Sequence, residues 1–531
     1  MDGARADECF GTVPRMVRAS AVAFGTSDAV IDGDWRLTFV DIEAGMLAVA
    51  RSLVANGIEP GDRVAVWAPN SADWICAALG VLAARAWLVP LNTRFKGDEA
   101  AYILDKTDAK AVFVGNGFLG NDYSQSLRSV APDLRALRLT VDVPQPGGTT
   151  TESWSRFITT GEAISVATID DSVMAGSADD VSDVLFTSGT TGAPKGVMLR
   201  HGATLRGYEM VRDHFRLARD DRYLIPTPFF HCFGYKAGWL IALMAGAVAV
   251  PLAVFEPDVV LATIERERIT HMPGPPTMFS AILDHPRRDD YDLSSLNHAF
   301  IGAASIPEVV VRRLRQELGV GTIMSAYGLT ENHALTTLTD PDDPPEVVAT
   351  SVGRPLDGIK VRVVDDDGDE VRQGEPGELL LAGDFQMTGY FEDDAATRET
   401  IVDGWLHTGD VGYFDEAGYL HITDRKKDIY IVGGFNVAPA EVERALLHLD
   451  GVAQVAVVGI PDDYFGEVGA AFVITNDGAA LTTDDVITYA RQHLANYKVP
   501  RRIEIVDAFP LNATGKVLKG ELRAHIAAET A

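Results

Sequence analysis

The chain reads as an α/β protein with a large N-terminal domain of layered, mixed and parallel sheets covered by helices. A small β-barrel-like subdomain is attached to it, and a smaller α+β domain follows at the C-terminus. Three observations predict this. Short, continuously apolar runs alternate with helix-length segments through the first half, as expected of parallel strands buried on both faces. From Gly358 the pattern changes to strands separated by Asp- and Gly-rich turns. From Ile429 to about Ile526, helical and strand-like segments alternate again.

In chain order, strands are predicted at 64–67, 87–91 and 111–114, with a helix at 71–84. Residues 145–152 and 175–183 are rich in Gly, Thr or Asp and read as surface loops. Residues 184–186 form a short strand leading into a glycine-rich run. The uncharged stretch 237–255 has the length of a membrane-spanning helix. Gly246 and Pro251 interrupt it, however, so a buried helix, a turn and a buried strand at 247–252 are expected, with no membrane span. Further strands are predicted at 360–364, 378–381 and 418–422, with turns at 365–368 and 415–418. The last unit has helices at 438–447 and 483–495 and strands at 455–459 and 469–474. The charged run 424–428 marks the boundary, giving domains 1–423 and 429–531.

At 531 residues the chain is ample for more than one domain, and 47% apolar with 23% charged residues is ordinary for a globular protein. A net charge of −30 opposes nucleic acid and anionic membrane surfaces. Cys9, Cys76 and Cys232 are too widely spaced for a disulfide framework or a zinc site. Residues 1–7 lack the apolar core of a signal peptide, so a cytoplasmic protein is expected.

The chemistry starts at 187–196, T-S-G-T-T-G-A-P-K-G. Glycine lets backbone N–H groups approach a polyanion, hydroxyls add donors, and Lys195 supplies positive charge. The run differs from the common P-loop, because Pro194-Lys195 stands where that pattern has Gly-Lys. Five blocks follow: P-F-F-H ending at His231, Y-G-L-T-E at 327–331, W-L-H-T-G-D at 405–410, I-T-D-R-K-K-D at 422–428, and P-L-N-A-T-G-K at 510–516. In this order and spacing, from about Thr38 to Lys519, the chain resembles the adenylate-forming superfamily of acyl- and aryl-CoA synthetases, firefly luciferase and peptide-synthetase adenylation domains.

That resemblance implies ATP, Mg²⁺ and coenzyme A as cofactors, a carboxylic acid as substrate, and a mobile C-terminal domain. It places the ATP phosphates on Thr187, Ser188, Gly189, Thr190, Thr191, Gly192 and Lys195. Glu331 matches the Mg²⁺ ligand, a role that suits a hard oxygen donor, and Thr330 the donor to the α-phosphate. Tyr327 offers a flat ring for adenine beside Gly328, with Gly302, Ala303 and Ala304 on the opposite side of the base. Asp410 and Arg425 match the ribose ligands, Lys427 the hinge, and Lys516 the adenylation lysine. Gly433, Gly434 and Phe435 match the passage for the pantetheine arm, although a plain strand turn explains two glycines equally well. Seven basic residues at 491–523 stand against three acidic ones, a candidate rest for coenzyme A phosphates or a salt-bridged surface.

His231 matches the position beside the reacting carboxylate. The acyl-pocket candidates are Phe233, Gly234, Lys236, Trp239, Met278, Ile301, His333 and Ala334. Being mostly apolar, they favour a hydrophobic acid. The segments F-F-H-C-F-G-Y-K-A-G, L-D-H-P-x-x-x-x-Y-D-L-S-S-L and Y-I-V-G-G-F-N-V are most similar to actinobacterial steroid-degradation ligases, implying a propanoate on a fused two-ring ketone. An amide-forming or carrier-loading ligase and a nucleotide-binding pseudoenzyme are the alternatives.

Overall fold

A computed structural model describes residues 5–131, 133–144, 146, 150–187, 194–302, 306–425, 428–432, 435–462, 465–476, 478–511 and 516–530, with backbone alone at 424–425, 435–436 and 529–530. Compactness divides the chain into two units, Met1–Lys360 with Ala382–Gly404, and Val361–Leu381 with Trp405–Ala531.

The first unit holds two sheets. One has nine strands in the order Arg354–Pro355, Thr337–Leu338, Thr322–Tyr327, His298–Ile301, His271–Gly274, Arg222–Ile225, Val248–Pro251, Asp28–Asp32 and Trp35–Thr38. Its centre is parallel and both edges are antiparallel. The other runs Gly389–Tyr390, Lys195–Arg200, Val181–Thr187, Trp87–Pro90, Arg63–Trp67, Ala111–Val114 and Leu139–Asp142. The helix Ala72–Ala83 explains how the layers join. Every residue but Asp73 is buried, as a helix apolar all round must be, and the Ser71 hydroxyl accepts from the Trp74 N–H to cap it.

The predicted strands at 64–67, 87–91 and 111–114 thus form, within a residue or so of the expected bounds. The uncharged stretch also breaks as expected. A π-helical turn, Tyr235–Leu240, runs into the helix Ile241–Ala245, Gly246 turns at φ +77°, and the strand Val248–Pro251 follows. Among the described residues no helix is long and apolar enough to cross a membrane.

A further sheet, most of it in the second unit, sets strands Ile359–Val364, Gly377–Gly383, Trp405–Phe414 and Leu420–Arg425 side by side, the last three antiparallel. A second sheet orders Phe435–Val437, Tyr430–Val432, Gly466–Thr475 and Val452–Asp462, with Arg502–Ile505 parallel to Gly466–Thr475. Helices Pro439–Leu446 and Thr483–His493 match expectation, the latter through a Thr482/Asp485 capping box.

Buried imidazoles give this core a pH dependence. His201 accepts the Val13 N–H at Nδ1, and His271 stacks on His298 at 4.0 Å. Burial lowers His201 and His271 to about 3. Both therefore stay neutral in the folded chain while the unfolded chain takes up protons below about 6.5. Their contribution is complete above that pH and declines as pH falls, by roughly 1.4 kcal/mol per group per pH unit. Thermal midpoints at constant ionic strength should fall from pH 6.5 to 5, and His201→Gln, which keeps an acceptor, should flatten that fall.

Candidate active site

In the nine-stranded sheet, His298–Ile301 and Thr322–Tyr327 run parallel with Ile301 opposite Ser325, so Gly302 and Tyr327-Gly328 emerge together at their carboxyl ends. Ligands of open α/β sheets bind there. A Cβ on Gly302 would lie 3.7 Å from the Phe233 ring, and one on Gly274 3.3 Å from the Met278 sulfur. Phe233 itself meets Phe300 edge-on at 5.3 Å. Phe233 and Gly302 therefore lie on the strand face that carries Phe300, while Ile301, wholly buried, and Met278 pack into the core on the other face, so the structure divides these four candidates between two sides of the sheet.

Beyond Tyr327 the chain doubles back. The Ala334 N–H reaches the Leu329 carbonyl at 2.8 Å, and His333 and Ala334 both hold positive φ, +56° and +58°. Side chains rarely adopt that backbone, at a cost on the order of 1–3 kcal/mol each. Surrounding bonds hold it. The Arg200 N–H donates to His333 Nε2, Nδ1 meets the Phe385 carbonyl at 2.6 Å, and the Tyr208 hydroxyl donates to the His333 carbonyl. Gly328 is required here, since a Cβ would come within 2.2 Å of the Ala334 carbonyl. The fold places Glu331 on a short 3-10 turn, Thr330–Asn332, at the tip of this loop.

The strands that flank the glycine-rich run, Val181–Thr187 and Lys195–Arg200, lie in the second sheet of this unit and pair as an antiparallel hairpin, with Thr187 opposite Lys195. Ser188, Gly189, Thr190, Thr191 and Gly192 lie outside the described residues, as do Ala303 and Ala304. The hairpin's ends meet the Glu331 loop through Tyr390. The Lys195 ammonium lies 5.0 Å from the Tyr390 ring centre, and the Tyr390 hydroxyl donates to Glu331 Oε1 at 2.9 Å. Among the described residues Oε2 has no protein hydrogen bond, leaving a hard oxygen for a cation, so the donor set fits Mg²⁺.

His231 caps the short helix Cys232–Gly234 by accepting the Phe233 N–H, and burial lowers its pKa, keeping the imidazole neutral. A Cβ on Gly234 would fall 2.3 Å from the Thr227 and Pro228 carbonyls, so only glycine fits. Asn70 fixes this P-F-F-H segment. Its side chain accepts the Phe229 N–H at 2.8 Å and donates to the Thr227 and Leu252 carbonyls.

Three pocket candidates stand elsewhere. Lys236 is fully buried, 3.0 Å from Asp183 and bonded to the Thr204 hydroxyl. Trp239 stacks on Tyr235 at 4.9 Å and meets Trp74 edge-on. Both lie on the π-helical turn Tyr235–Leu240 and are wholly buried in the core. His333 spends both ring nitrogens on backbone and holds the loop instead of lining a cavity. Sequence reading also missed Asn70 and Tyr390, whose partners Phe229 and Glu331 are far away in sequence. A separate cavity of about 380 Å³, lined by Thr12, Arg85, Asp180 and His201 among others, adjoins Val181 at the opposite end of the hairpin strand.

In the second unit, Asp410 faces Arg425 across the Trp405–Phe414 and Leu420–Arg425 pair. The Thr408 hydroxyl accepts the Asp410 N–H and donates to the Leu379 carbonyl, with Gly409 turning at φ +68° between them. Lys427, Gly433 and Gly434 lie outside the described residues, and Phe435 pairs with Val432. Lys516 is exposed, in a segment whose ends are bridged at Leu511 and Val517. Of the seven basic residues, Lys498, Arg502, Lys519 and Arg523 pair with Glu441, Glu504, Glu443 and Asp428, so the salt-bridged reading holds for these four.

Comparison with known proteins places the chain in a family. A 3-[(3aS,4S,7aS)-7a-methyl-1,5-dioxo-octahydro-1H-inden-4-yl]propanoyl:CoA ligase of Rhodococcus jostii is 46% identical over 517 residues, covering 96% of this chain and 98% of that protein. The ligase of the same name from Mycobacterium tuberculosis is 46% identical over 513 residues, covering 96% and 98%. The crystal structure of the anthranilate CoA ligase AuaEII with anthranoyl-AMP superposes with a TM-score of 0.86 at 26% identity, covering 98% of each chain. Residues 17–391 match the AMP-binding enzyme family and residues 441–516 the AMP-binding enzyme C-terminal domain. Tyr390 joins the 181–200 hairpin to the Glu331 loop, and with these matches the chain belongs to the AMP-binding enzymes of the adenylate-forming superfamily.

Proposed function

We propose that the protein is an AMP-forming acyl-CoA ligase acting in the cytoplasm on a bicyclic, steroid-derived propanoate. The carrying observation is the convergence of Lys195 and Glu331 on Tyr390, on the loop that follows the parallel strand ending at Tyr327. The relatives' 46% identity supports the substrate class.

In the first half-reaction a carboxylate oxygen of the acid attacks the α-phosphorus of ATP. The bond from that phosphorus to the bridging oxygen breaks, and pyrophosphate leaves. In the second, the thiol of coenzyme A attacks the acyl carbonyl, AMP departs with the former carboxylate oxygen, and the thiol proton is lost. Lys195 and the hairpin N–H groups hold phosphate, Thr330 donates to the α-phosphate, and the neutral His231 borders the carboxylate without adding charge. Glu331 would hold Mg²⁺, which neutralises phosphate charge when bound. Asp410 and Arg425 take the ribose hydroxyls, and Lys516 meets the α-phosphate and carboxylate as charge moves between them. Lys427 is the hinge by which the C-terminal domain exchanges Lys516 for Gly433, Gly434 and Phe435 beside the pantetheine arm.

ATP–pyrophosphate exchange across a library of short, linear, aromatic and polycyclic acids tests this, with products identified by mass spectrometry in the presence of coenzyme A. The bicyclic diketo-propanoate should give the highest kcat/KM and a coenzyme A thioester. Best turnover on linear fatty acids would overturn the substrate assignment, and an adenylate that coenzyme A fails to consume would overturn the acceptor.

A further inference from the structure

Tyr390 belongs to none of the recognised motifs, yet it is the residue at which two of them meet. It occupies a two-residue strand, Gly389–Tyr390, paired antiparallel with the distal arm of the phosphate hairpin, Tyr390 opposite Val197. Its neighbours are tied on both sides. The Met387 N–H donates to the Glu331 carbonyl at 2.8 Å, and the Phe391 N–H to the Gly196 carbonyl at 2.7 Å. The Tyr390 N–H donates to the Thr397 hydroxyl at 2.9 Å, and the side chain is 6% exposed. The ring therefore has little freedom. Its face lies toward the Lys195 ammonium, and its hydroxyl toward Glu331 Oε1.

The two contacts answer two separate problems. A lysine at a hairpin base has a flexible four-carbon stem, and an aromatic face attracts its ammonium without neutralising it, so the charge stays available to phosphate. A carboxylate on a loop rotates freely, and a hydroxyl donating to one oxygen orients the other. Outer partners of this kind tune cation affinity by roughly 10–100-fold in other metal sites. We propose that Tyr390 is the positioning residue of the nucleotide site, its hydroxyl orienting Glu331 toward the phosphate-bound cation and its ring holding Lys195 toward the phosphates. This rests on the assignment of Glu331 as cation ligand made above.

The phenylalanine and leucine variants separate the two contacts, since Tyr390→Phe keeps the ring and removes only the hydroxyl. The full-length protein is titrated with Mn²⁺ in the presence of α,β-methylene-ATP, with free Mn²⁺ read by electron paramagnetic resonance. Nucleotide affinity without metal is measured by calorimetry, and melting temperature is recorded for each variant. Tyr390→Phe is expected to weaken Mn²⁺ binding about tenfold and to leave metal-free nucleotide affinity within about twofold. Tyr390→Leu is expected to weaken metal-free nucleotide affinity as well, by about threefold or more. Wild-type Mn²⁺ affinity in Tyr390→Phe would overturn the proposal, as would equal losses of metal and nucleotide affinity accompanied by a lower melting temperature. Glu331→Gln distinguishes the two levels of failure. If it too binds Mn²⁺ normally, the cation assignment of Glu331 has failed and the role of Tyr390 with it. If it loses Mn²⁺ while Tyr390→Phe does not, only the inference about Tyr390 is refuted.

Discussion

Lys516→Ala is expected to lower ATP–pyrophosphate exchange by about 10²–10³-fold, the scale seen when one preorganised electrostatic donor is removed. Transfer of the acyl group from a supplied acyl-adenylate to coenzyme A should survive within about threefold, because the role proposed for Lys516 is confined to the first half-reaction. The structure makes this a clean experiment. Lys516 is exposed, on a segment bounded by the Leu511–Val517 bridge and the Leu518 N–H bond to the Pro510 carbonyl, and the melting temperature of the variant is recorded to separate chemistry from folding. Single-turnover measurement of each half-reaction is the check. Equal loss of both would remove Lys516 from the adenylation step and leave it a role in folding or in placing the domain.

The largest stability effect is expected at the ion pair Lys236–Asp183. Both side chains are wholly inaccessible, with nitrogen and oxygen 3.0 Å apart. Thr204 accepts a second ammonium proton at 3.0 Å, and the Ser182 hydroxyl donates to the other Asp183 oxygen at 2.5 Å. Lys236→Met leaves a carboxylate buried without its counter-charge, a change that costs about 3–5 kcal/mol in comparable pairs. Asp183→Asn with Lys236→Met removes both charges and should recover much of that loss, because the desolvation penalty of the pair disappears as well. Urea denaturation of the single and double variants gives the coupling. Because Lys236 is wholly buried and paired with Asp183 and Thr204, the order of acid preference should not change in variants that fold; a reordered preference would return Lys236 to the acyl pocket.

Much of the site was legible in the sequence, and the reason is chemical. A phosphate site restricts residue type at each position, so the glycines and hydroxyls ahead of Lys195, and Glu331 after the Tyr327 strand, stand out from ordinary loops. Gly234 and Gly328 were readable as motif letters, but the cause of each is tertiary: carbonyls of Thr227, Pro228 and Ala334 occupy the space a side chain would need. Lys236 and Trp239 follow the P-F-F-H motif on a π-helical turn, and their partners, Asp183, Thr204, Tyr235 and Trp74, are mostly distant in sequence and so were not readable from the segment. His333 looked like a lining residue in its motif, and became a loop anchor only when Arg200 and Phe385 were brought to its two nitrogens. Tyr390 and Asn70 carried no local signal at all. Their functional bonds cross 59 and 159 residues of chain.

By itself, the sequence determined the class of fold, the order of its motifs and the kind of chemistry they serve. Apolar periodicity and residue type are properties of a segment and survive without its neighbours. Only the tertiary structure decided which faces those segments present, since that depends on helix phase, on backbone held at positive φ and on partners packed from distant strands. The meeting of Lys195, Tyr390 and Glu331 is of that second kind, because hydrogen bonds and cation–π contacts act over a few ångströms of space whatever the distance along the chain.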